Sequence, residues 1–90
     1  MRVARHVRVT GRVQGVFFRA WTAEQARSLG VSGWVRNAED GSVEAHLEGD
    51  QWPVQQLIDL MRRGPPAAKV DDVTDEPAEP IRAEGFDVRG

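Results

Sequence analysis

A loop with two glycines and an arginine lies between a predicted strand and a predicted helix, in the segment Gly11 to Arg19 (GRVQGVFFR). Residues 6–10 before it alternate polar and apolar side chains, which is the period of a half-buried strand. Residues 19–29 contain neither proline nor glycine and are followed by Gly30, which indicates a helix. At such a junction several backbone N–H groups and the helix dipole favour an oxyanion such as phosphate. Arg19 adds a planar, permanently charged group at the same place.

This loop differs from two well-known phosphate-binding loops. No Gly-Lys-Ser/Thr follows it, as in a P-loop, and it lacks the Gly-x-Gly-x-x-Gly order of a dinucleotide-binding turn. Its residues are equally compatible with an oxyanion site and with a glycine-rich turn followed by a solvated arginine. The segment alone therefore leaves both interpretations open.

Together with a second segment, the loop resembles the acylphosphatase family. The family's first signature, Gly-x-Val-Gln-Gly-Val-x-Phe-Arg, is matched at each defined position by Gly11 to Arg19. The second signature has an aromatic residue after glycine, an asparagine three residues later, then Gly-x-Val and a further glycine. It is matched within Gly33 to Gly49, with Asn37 as the asparagine. The C-terminal Phe86-Asp87-Val88 resembles the family's closing strand, and the similarity, which covers nearly the whole chain, thins between Ala67 and Gly85.

The resemblance implies an enzyme, an acylphosphatase, that hydrolyses the carboxyl–phosphate bond of small acyl phosphates. The products are a carboxylate and inorganic phosphate, and the family needs no metal and no other cofactor. A carboxylate is a weak base, so the leaving group requires no strong general acid. All acyl phosphates present the same head group, and we therefore expect broad tolerance for the acyl group, whose identity the sequence does not specify.

The resemblance also assigns the residues of the site. It implies two catalytic residues: Arg19, which holds two oxygens of the phosphoryl group, and Asn37, which orients the attacking water through its amide. The backbone N–H groups of the loop bind the phosphoryl group, so the phosphate-binding residues are Gln14, Gly15, Val16, Phe17, Phe18 and Arg19. Gly15 permits close approach of the backbone. The side chains of Gln14 and of the apolar loop residues shape the loop and do not react.

The predicted elements follow the order β-α-β-β-α-β, with a short terminal strand. This is an α/β (α+β) fold, a ferredoxin-like sandwich whose antiparallel sheet carries two helices on one face. Strands are predicted over residues 5–10, 31–38, 42–48 and 69–75, the last as an acidic edge strand. The second helix is predicted from an N-cap at Asp50 to a left-handed Gly64. Its buried stripe is predicted to be Val54, Leu57, Ile58 and Met61.

The turn between the second and third strands is predicted to be a three-residue loop, Glu39-Asp40-Gly41. That loop places the opposite charges of Arg36 and Glu44 across from each other, whereas a two-residue turn would mix the apolar and polar faces. Asn37 then lies on the helix-covered face. Because the first two strands point the same way on either side of the third, Asn37 and the glycine loop lie roughly 9–10 Å apart at one end of the sheet. An asparagine that only secures the hairpin is the alternative.

Other residues that could bind a ligand or a metal are predicted to have structural roles. His6 and His46 are placed on the open face of the sheet, far from the loop, as surface histidines. Trp34 is interpreted as cross-strand packing, and Trp21 and Trp52 as packing residues in the first turns of the two helices. The acidic residues at 71–76 are interpreted as solvated side chains of an edge strand and not as a metal site.

The composition limits the class of protein. With 90 residues, we expect one domain spanning 1–90. No cysteine occurs, which excludes a disulfide framework and a thiolate nucleophile. The N-terminus lacks the apolar run of a signal peptide, and no apolar stretch reaches the length of a membrane span. We therefore predict a cytoplasmic, monomeric protein that binds no membrane.

Two functions of other classes remain as alternatives. An RNA-binding module of this fold needs an aromatic-rich open sheet face, but this face offers only Trp34, and the net charge of −2 argues against nucleic acid. A non-catalytic phosphate sensor, or a regulatory domain of a larger carbamoyl-transfer protein, would use the same loop. A turnover assay separates an enzyme from a sensor.

Overall fold

The computed structural model describes all 90 residues, which form two helices and five strands. The strands are β1 (Arg2–Arg12), β2 (Ser32–Asn37), β3 (Val43–Asp50), β4 (Lys69–Pro77) and β5 (Phe86–Arg89). The helices are α1 (Phe18–Leu29) and α2 (Gln51–Arg63). The order along the chain confirms the predicted ferredoxin-like α+β fold with a short terminal strand.

The sheet is mixed, and the expectation of an antiparallel sheet was wrong for its last strand. The strand order is β4-β1-β3-β2-β5, with β4 at one edge as predicted. β3 is antiparallel to β1 and β2, and β4 is antiparallel to β1, but β5 is parallel to β2. The reason is topological. The C-terminus of β4 and the N-terminus of β2 lie at the same end of the sheet. The segment 78–85 crosses the sheet at that end, and β5 then runs beside β2 in the same direction.

The predicted register between β2 and β3 is confirmed. Arg36 lies opposite Glu44, and its Nη2 is 3.2 Å from Oε2 of that carboxylate. The N–H of Ala38 donates to the carbonyl of Ser42 over 2.8 Å, which closes a three-residue loop. Gly41 in that loop has a φ of 92°, a conformation that favours glycine. This register brings the end of β2 to the same end of the sheet as the loop after β1.

The core lies between the two helices and one face of the sheet. The predicted apolar stripe of α2 is fully buried, and alternate residues of the strands, on the sheet face that the helices cover, complete the core. Burying each such side chain contributes roughly 1.5–3 kcal/mol, so this stripe is the main reason that α2 docks on the sheet. Asp50 occupies the N-cap position of α2, but its side chain makes no capping hydrogen bond. Neither helix is long and apolar enough to cross a lipid bilayer.

The other face of the sheet is partly covered, which corrects the prediction that His46 is a surface histidine. The His46 side chain is 7% exposed and the neighbouring Glu48 is 4% exposed, with Nε2 of the imidazole 2.7 Å from Oε1 of the carboxylate. The segment 78–85 crosses above them, and the N–H of Ile81 donates to Glu48. No local sequence pattern places this segment against the sheet.

The tryptophans differ in their packing. Trp34 stacks on His46 with ring centroids 6.2 Å apart, which confirms cross-strand packing. Trp21 packs edge-on against Phe18 with centroids 5.6 Å apart, as expected. Trp52 is 72% exposed, so the packing expected for it was wrong. Its position in the first turn of α2 turns it away from the buried stripe of that helix. His6, predicted at the surface, is half-buried.

Candidate active site

A cleft of about 290 Å³ lies where the loop after β1 meets the ends of β2 and β5. The residues that line it are Val13, Gly15, Phe17, Phe18, Arg19, Ala20, Asn37 and Val88. Five residues that the sequence suggested for the site are therefore brought together here: Gly15, Phe17, Phe18, Arg19 and Asn37. Gln14 and Val16 do not line the cleft, and the side chain of Val16 is buried in the core.

The loop between β1 and α1 presents unpaired backbone donors. None of the N–H groups of residues 14–17 donates to a backbone carbonyl. The N–H groups in the first turn of α1 have no acceptor within the helix, as at any helix N-terminus. Gly15 has a φ of 73°, and a Cβ there would meet no atom within 4 Å, so the loop is open on that side. The segment can therefore accept an anion on its backbone.

Arg19 lies in the first turn of α1 and reaches the C-terminal strand. Its Nη1 donates to the carbonyl oxygen of Arg89 over 2.7 Å, and the side chain forms no ion pair with any carboxylate. The charge of the guanidinium is therefore uncompensated within the protein, beside the unpaired N–H groups of the loop. A planar cation with free donors in this position suits a doubly charged oxyanion.

Asn37 is the last residue of β2 and has an unpaired buried atom. Its Oδ1 is inaccessible to solvent and accepts no hydrogen bond. An unpaired buried acceptor costs about 1–3 kcal/mol, and a rotation of the amide that turned Oδ1 into the cleft would let a bound donor recover that cost. Asn37 and Arg19 are the two polar side chains among the residues that line the cleft.

Thr22, which the sequence interpretation did not single out, has a second unpaired oxygen. It lies on α1 one turn after Arg19 and is fully buried, and its Oγ1 has no hydrogen-bond partner. The only sequence signal was a hydroxyl on a helix face whose other buried residues are Phe18, Ala23 and Ala26. α1 packs on β2, the strand that carries Asn37.

The side chain of Gln14 connects the loop to the hairpin that carries Asn37. Its Nε2 donates to the carbonyl oxygens of Ala38 over 2.8 Å and of Ser42 over 2.9 Å. These two bonds join the two halves of the cleft, which lie on different strands. They add to the pairing of β1 with β3 and of β3 with β2 in fixing the loop beside the Asn37 hairpin.

Cations surround a carboxylate on the opposite face of the same hairpin. Glu44 accepts hydrogen bonds from Arg36 and from Arg8, and its Oε2 lies 3.2 Å from Nε2 of His6. Burial alone would raise the pKa of Glu44, but the hydrogen bonds from Arg36 and His6, with the charges of the two arginines, lower it below its usual value. The carboxylate therefore stays ionised and holds β1, β2 and β3 together beneath Asn37.

The tip of the hairpin is held in the same way by Asp40. Its Oδ1 accepts from both the hydroxyl and the N–H of Ser42, at 2.6 and 2.9 Å, and its Oδ2 accepts from Arg8 at 2.9 Å. The bonds from Ser42 lower the pKa of Asp40 below its ordinary value. The loop after Asn37 is thus closed by ionised contacts at neutral pH.

No three or more histidine, aspartate and glutamate side chains are grouped so that they could hold a metal ion. The acidic residues of β4 are mostly exposed, and Asp75 pairs with Arg5, with its Oδ2 2.5 Å from Nη2. Arg19 is the one charged residue among those that line the cleft.

Comparison with known proteins gives one consistent result. The family described as Acylphosphatase matches residues 5–88. An acylphosphatase of Rhizorhabdus wittichii is 52% identical over 85 residues, which covers 94% of this chain and 86% of that protein. One of Thermococcus kodakarensis is 52% identical over 89 residues, covering 99% of this chain and 98% of that protein. The structure of an acylphosphatase from Coxiella burnetii has a TM-score of 0.94 at 36% identity, covering 98% of this chain and 93% of the other.

Proposed function

The chain belongs to the acylphosphatase family and is a hydrolase of that class, and from this we propose that it hydrolyses small acyl phosphates in the cleft beside Asn37. The unpaired, buried Oδ1 of Asn37 is the observation on which the proposal rests. Asn37 lines the same cleft as a loop with free N–H donors and an arginine without a counter-ion. A phosphoryl group bound to the loop would accept hydrogen bonds from its free N–H groups, and a water bound to Asn37 would donate one to the unpaired Oδ1.

The loop and Arg19 bind the phosphoryl group. The N–H groups of residues 14–19 donate to its oxygens, as at other helix N-termini that bind phosphate. Arg19 adds two parallel N–H donors and offsets the negative charge of the group. These donors are fixed by the backbone before the substrate arrives, so little reorganisation accompanies the reaction.

Asn37 positions the nucleophile. Its Oδ1 accepts a hydrogen bond from a water molecule and directs the water oxygen toward phosphorus, on the side opposite the carboxylate. The bond from the water oxygen to phosphorus forms as the bond from phosphorus to the carboxyl oxygen breaks. The carboxylate leaves with the bonding electron pair, and the protons of the water stay with the phosphate or pass to solvent. No general acid takes part, because the carboxylate is stable as an anion.

The two alternatives predict different measurements. A phosphate sensor would bind inorganic phosphate through the same loop and release none from acetyl phosphate. The RNA-binding alternative is disfavoured because segment 78–85 covers part of the sheet face that such a module uses, and the Arg89 guanidinium lies 4.7 Å from the centre of the Trp34 ring. Cytoplasmic location and a monomeric state stay predictions.

The experiment is a phosphate-release assay with acetyl phosphate and the purified protein. Turnover well above the spontaneous rate, lost in Arg19→Ala and retained in the distant surface variant Gln55→Leu, supports the proposed function. Phosphate binding by calorimetry without turnover would instead favour the sensor.

A further inference from the structure

One arginine of β1 contacts three residues of the hairpin that carries Asn37. The Nη1 atom of Arg8 donates to Oδ2 of Asp40 over 2.9 Å and to the hydroxyl of Ser42 over 2.8 Å. Its Nη2 atom donates to Oε1 of Glu44 over 3.1 Å. A guanidinium suits this arrangement because its donors lie in one plane and point in fixed directions. Arg8 therefore joins β1 to the tip of the hairpin and to the start of β3.

The three contacts of Arg8 flank Asn37 along both strands of the hairpin. Asp40 lies in the loop that follows Asn37, and Ser42 precedes the residue that pairs with Asn37 across the sheet. Glu44 also accepts a hydrogen bond from Arg36, the residue before Asn37. The position of Asn37 relative to β1 is therefore tied to this one guanidinium in addition to the pairing of the strands.

The contacts of Arg8 are partly shielded from water. The side chains of Arg8 and Glu44 are 39% and 11% exposed, and Ser42 is buried. An isolated ion pair at the surface contributes little to stability, whereas several charges that share one geometry can contribute as a network. We infer from this network that the hairpin has a defined position relative to β1 and to the loop that follows β1.

The amide oxygen of Asn37 has no hydrogen-bond partner that would fix it independently of the hairpin. Its place in the cleft therefore follows from the place of the hairpin backbone. We propose that Arg8 is a positioning residue for the reaction, which holds the hairpin so that the Asn37 amide keeps the alignment that the attacking water requires. Arg8 does not line the cleft, so it acts through Asn37 and not on the substrate. This inference rests on the proposed function, because it has an effect only if Asn37 binds the water.

The test is Arg8→Met, which keeps the aliphatic stem and removes all three hydrogen bonds. The protein should still fold, because Glu44 and Asp40 each keep another donor. The kcat for acetyl phosphate should fall by about tenfold, since a small misplacement of a group that positions the nucleophile is costly. Inhibition by inorganic phosphate should change by less than about twofold, because the loop after β1 and not the hairpin binds phosphate.

The matched control is Arg5→Met, on the same strand. It removes the same charge and the hydrogen bonds from Arg5 to Asp75 of β4, and it leaves the hairpin untouched. Its kcat should stay within about twofold of the parent value. A second comparison uses Asn37→Ala as the background. There Arg8→Met should lower kcat by less than about twofold, because the group that Arg8 positions is absent.

The outcomes separate this inference from the proposed function. Equal kcat in Arg8→Met and Arg5→Met, with turnover in the parent, overturns the inference while the proposed function stands. A loss of kcat that persists in full in the Asn37→Ala background also overturns it, because Arg8 would then act through another group. If Arg8→Met does not fold, Arg8→Lys carries the same comparison, because lysine keeps the charge but lacks the planar donors, and a parental kcat in that variant overturns the inference. Absence of turnover in the parent overturns both.

Discussion

The link that Gln14 makes between the loop and the Asn37 hairpin is tested by Gln14→Leu, which keeps the volume but removes both donors. The amide donates to the carbonyls of Ala38 and Ser42. Each carbonyl keeps another donor, since the Ser42 carbonyl also accepts from the N–H of Ala38, and the Ala38 carbonyl from the N–H of Gly41. The substitution therefore removes two hydrogen bonds but leaves no acceptor unpaired.

That distinction sets the size of the effect. Two hydrogen bonds at about 1 kcal/mol each give a loss of about 2 kcal/mol in the free energy of unfolding. An unpaired carbonyl would add 1–3 kcal/mol, roughly doubling the loss, but none is created here. For a domain of this size the melting temperature should fall by roughly 8–16 °C. Because the loop and Asn37 are then less firmly aligned, kcat should also fall, by roughly tenfold or more.

The assay is urea unfolding followed by tryptophan fluorescence, together with acetyl phosphate turnover of the folded protein. The matched control is Gln55→Leu, whose amide bonds only to Asp59 on the exposed surface of α2, at 3.1 Å. Its free energy of unfolding should change by less than about 0.5 kcal/mol. If Gln14→Leu behaves like this control in both stability and kcat, the two hydrogen bonds do not hold the cleft together.

Three further predictions concern charge. Arg19→Lys keeps the charge but loses the planar pair of donors, so kcat/KM for acetyl phosphate should fall by about 10²-fold. The circular dichroism spectrum should stay unchanged. A near-normal kcat/KM would show that Arg19 does not bind the phosphoryl group. Burial alone would raise the pKa of Glu48, but hydrogen bonds from His46 and Ile81 lower it below its ordinary 4.5. Its stabilisation is therefore present above pH 4.5 and lost as pH falls through the lowered value. Glu48→Gln should cost about 2 kcal/mol in urea unfolding at pH 7 and progressively less below pH 4.5, and an equal cost at both pH values would contradict this. Activity should persist in excess EDTA, and restoration of lost activity by Mg²⁺ would show that a metal takes part.

The elements that local sequence patterns determine could be predicted. The apolar stripe of α2 follows from its 3.6-residue period, and the β2–β3 register follows from the three-residue loop with Gly41 and the pairing of Arg36 with Glu44. That register also placed Asn37 at the same end of the sheet as the loop after β1, and the two share a cleft. Here the length of one turn determines that Asn37 and the loop after β1, which are distant in sequence, lie close together.

Features that depend on distant parts of the chain could not be predicted. Segment 78–85 has no periodicity, so its path across the sheet and the parallel entry of β5 have no local signature. The burial of His46 and Glu48 follows from that path, and a period-2 pattern shows only which face a residue is on, not whether that face is covered. For the same reason the sequence did not single out Thr22, because the burial that leaves its hydroxyl without a hydrogen-bond partner follows from tertiary packing.

The role of Asn37 in positioning water is tested by measuring kcat, inhibition by inorganic phosphate and melting temperature on one preparation of Asn37→Ala. Because Oδ1 makes no hydrogen bond within the protein, its removal breaks none in the hairpin, and the melting temperature should stay near that of the parent. The proposed mechanism predicts that kcat falls by about 10²-fold while phosphate, held by the loop and Arg19, still inhibits with a similar constant. An unchanged kcat with a lowered melting temperature would contradict the mechanism and make Asn37 a residue that only secures the hairpin.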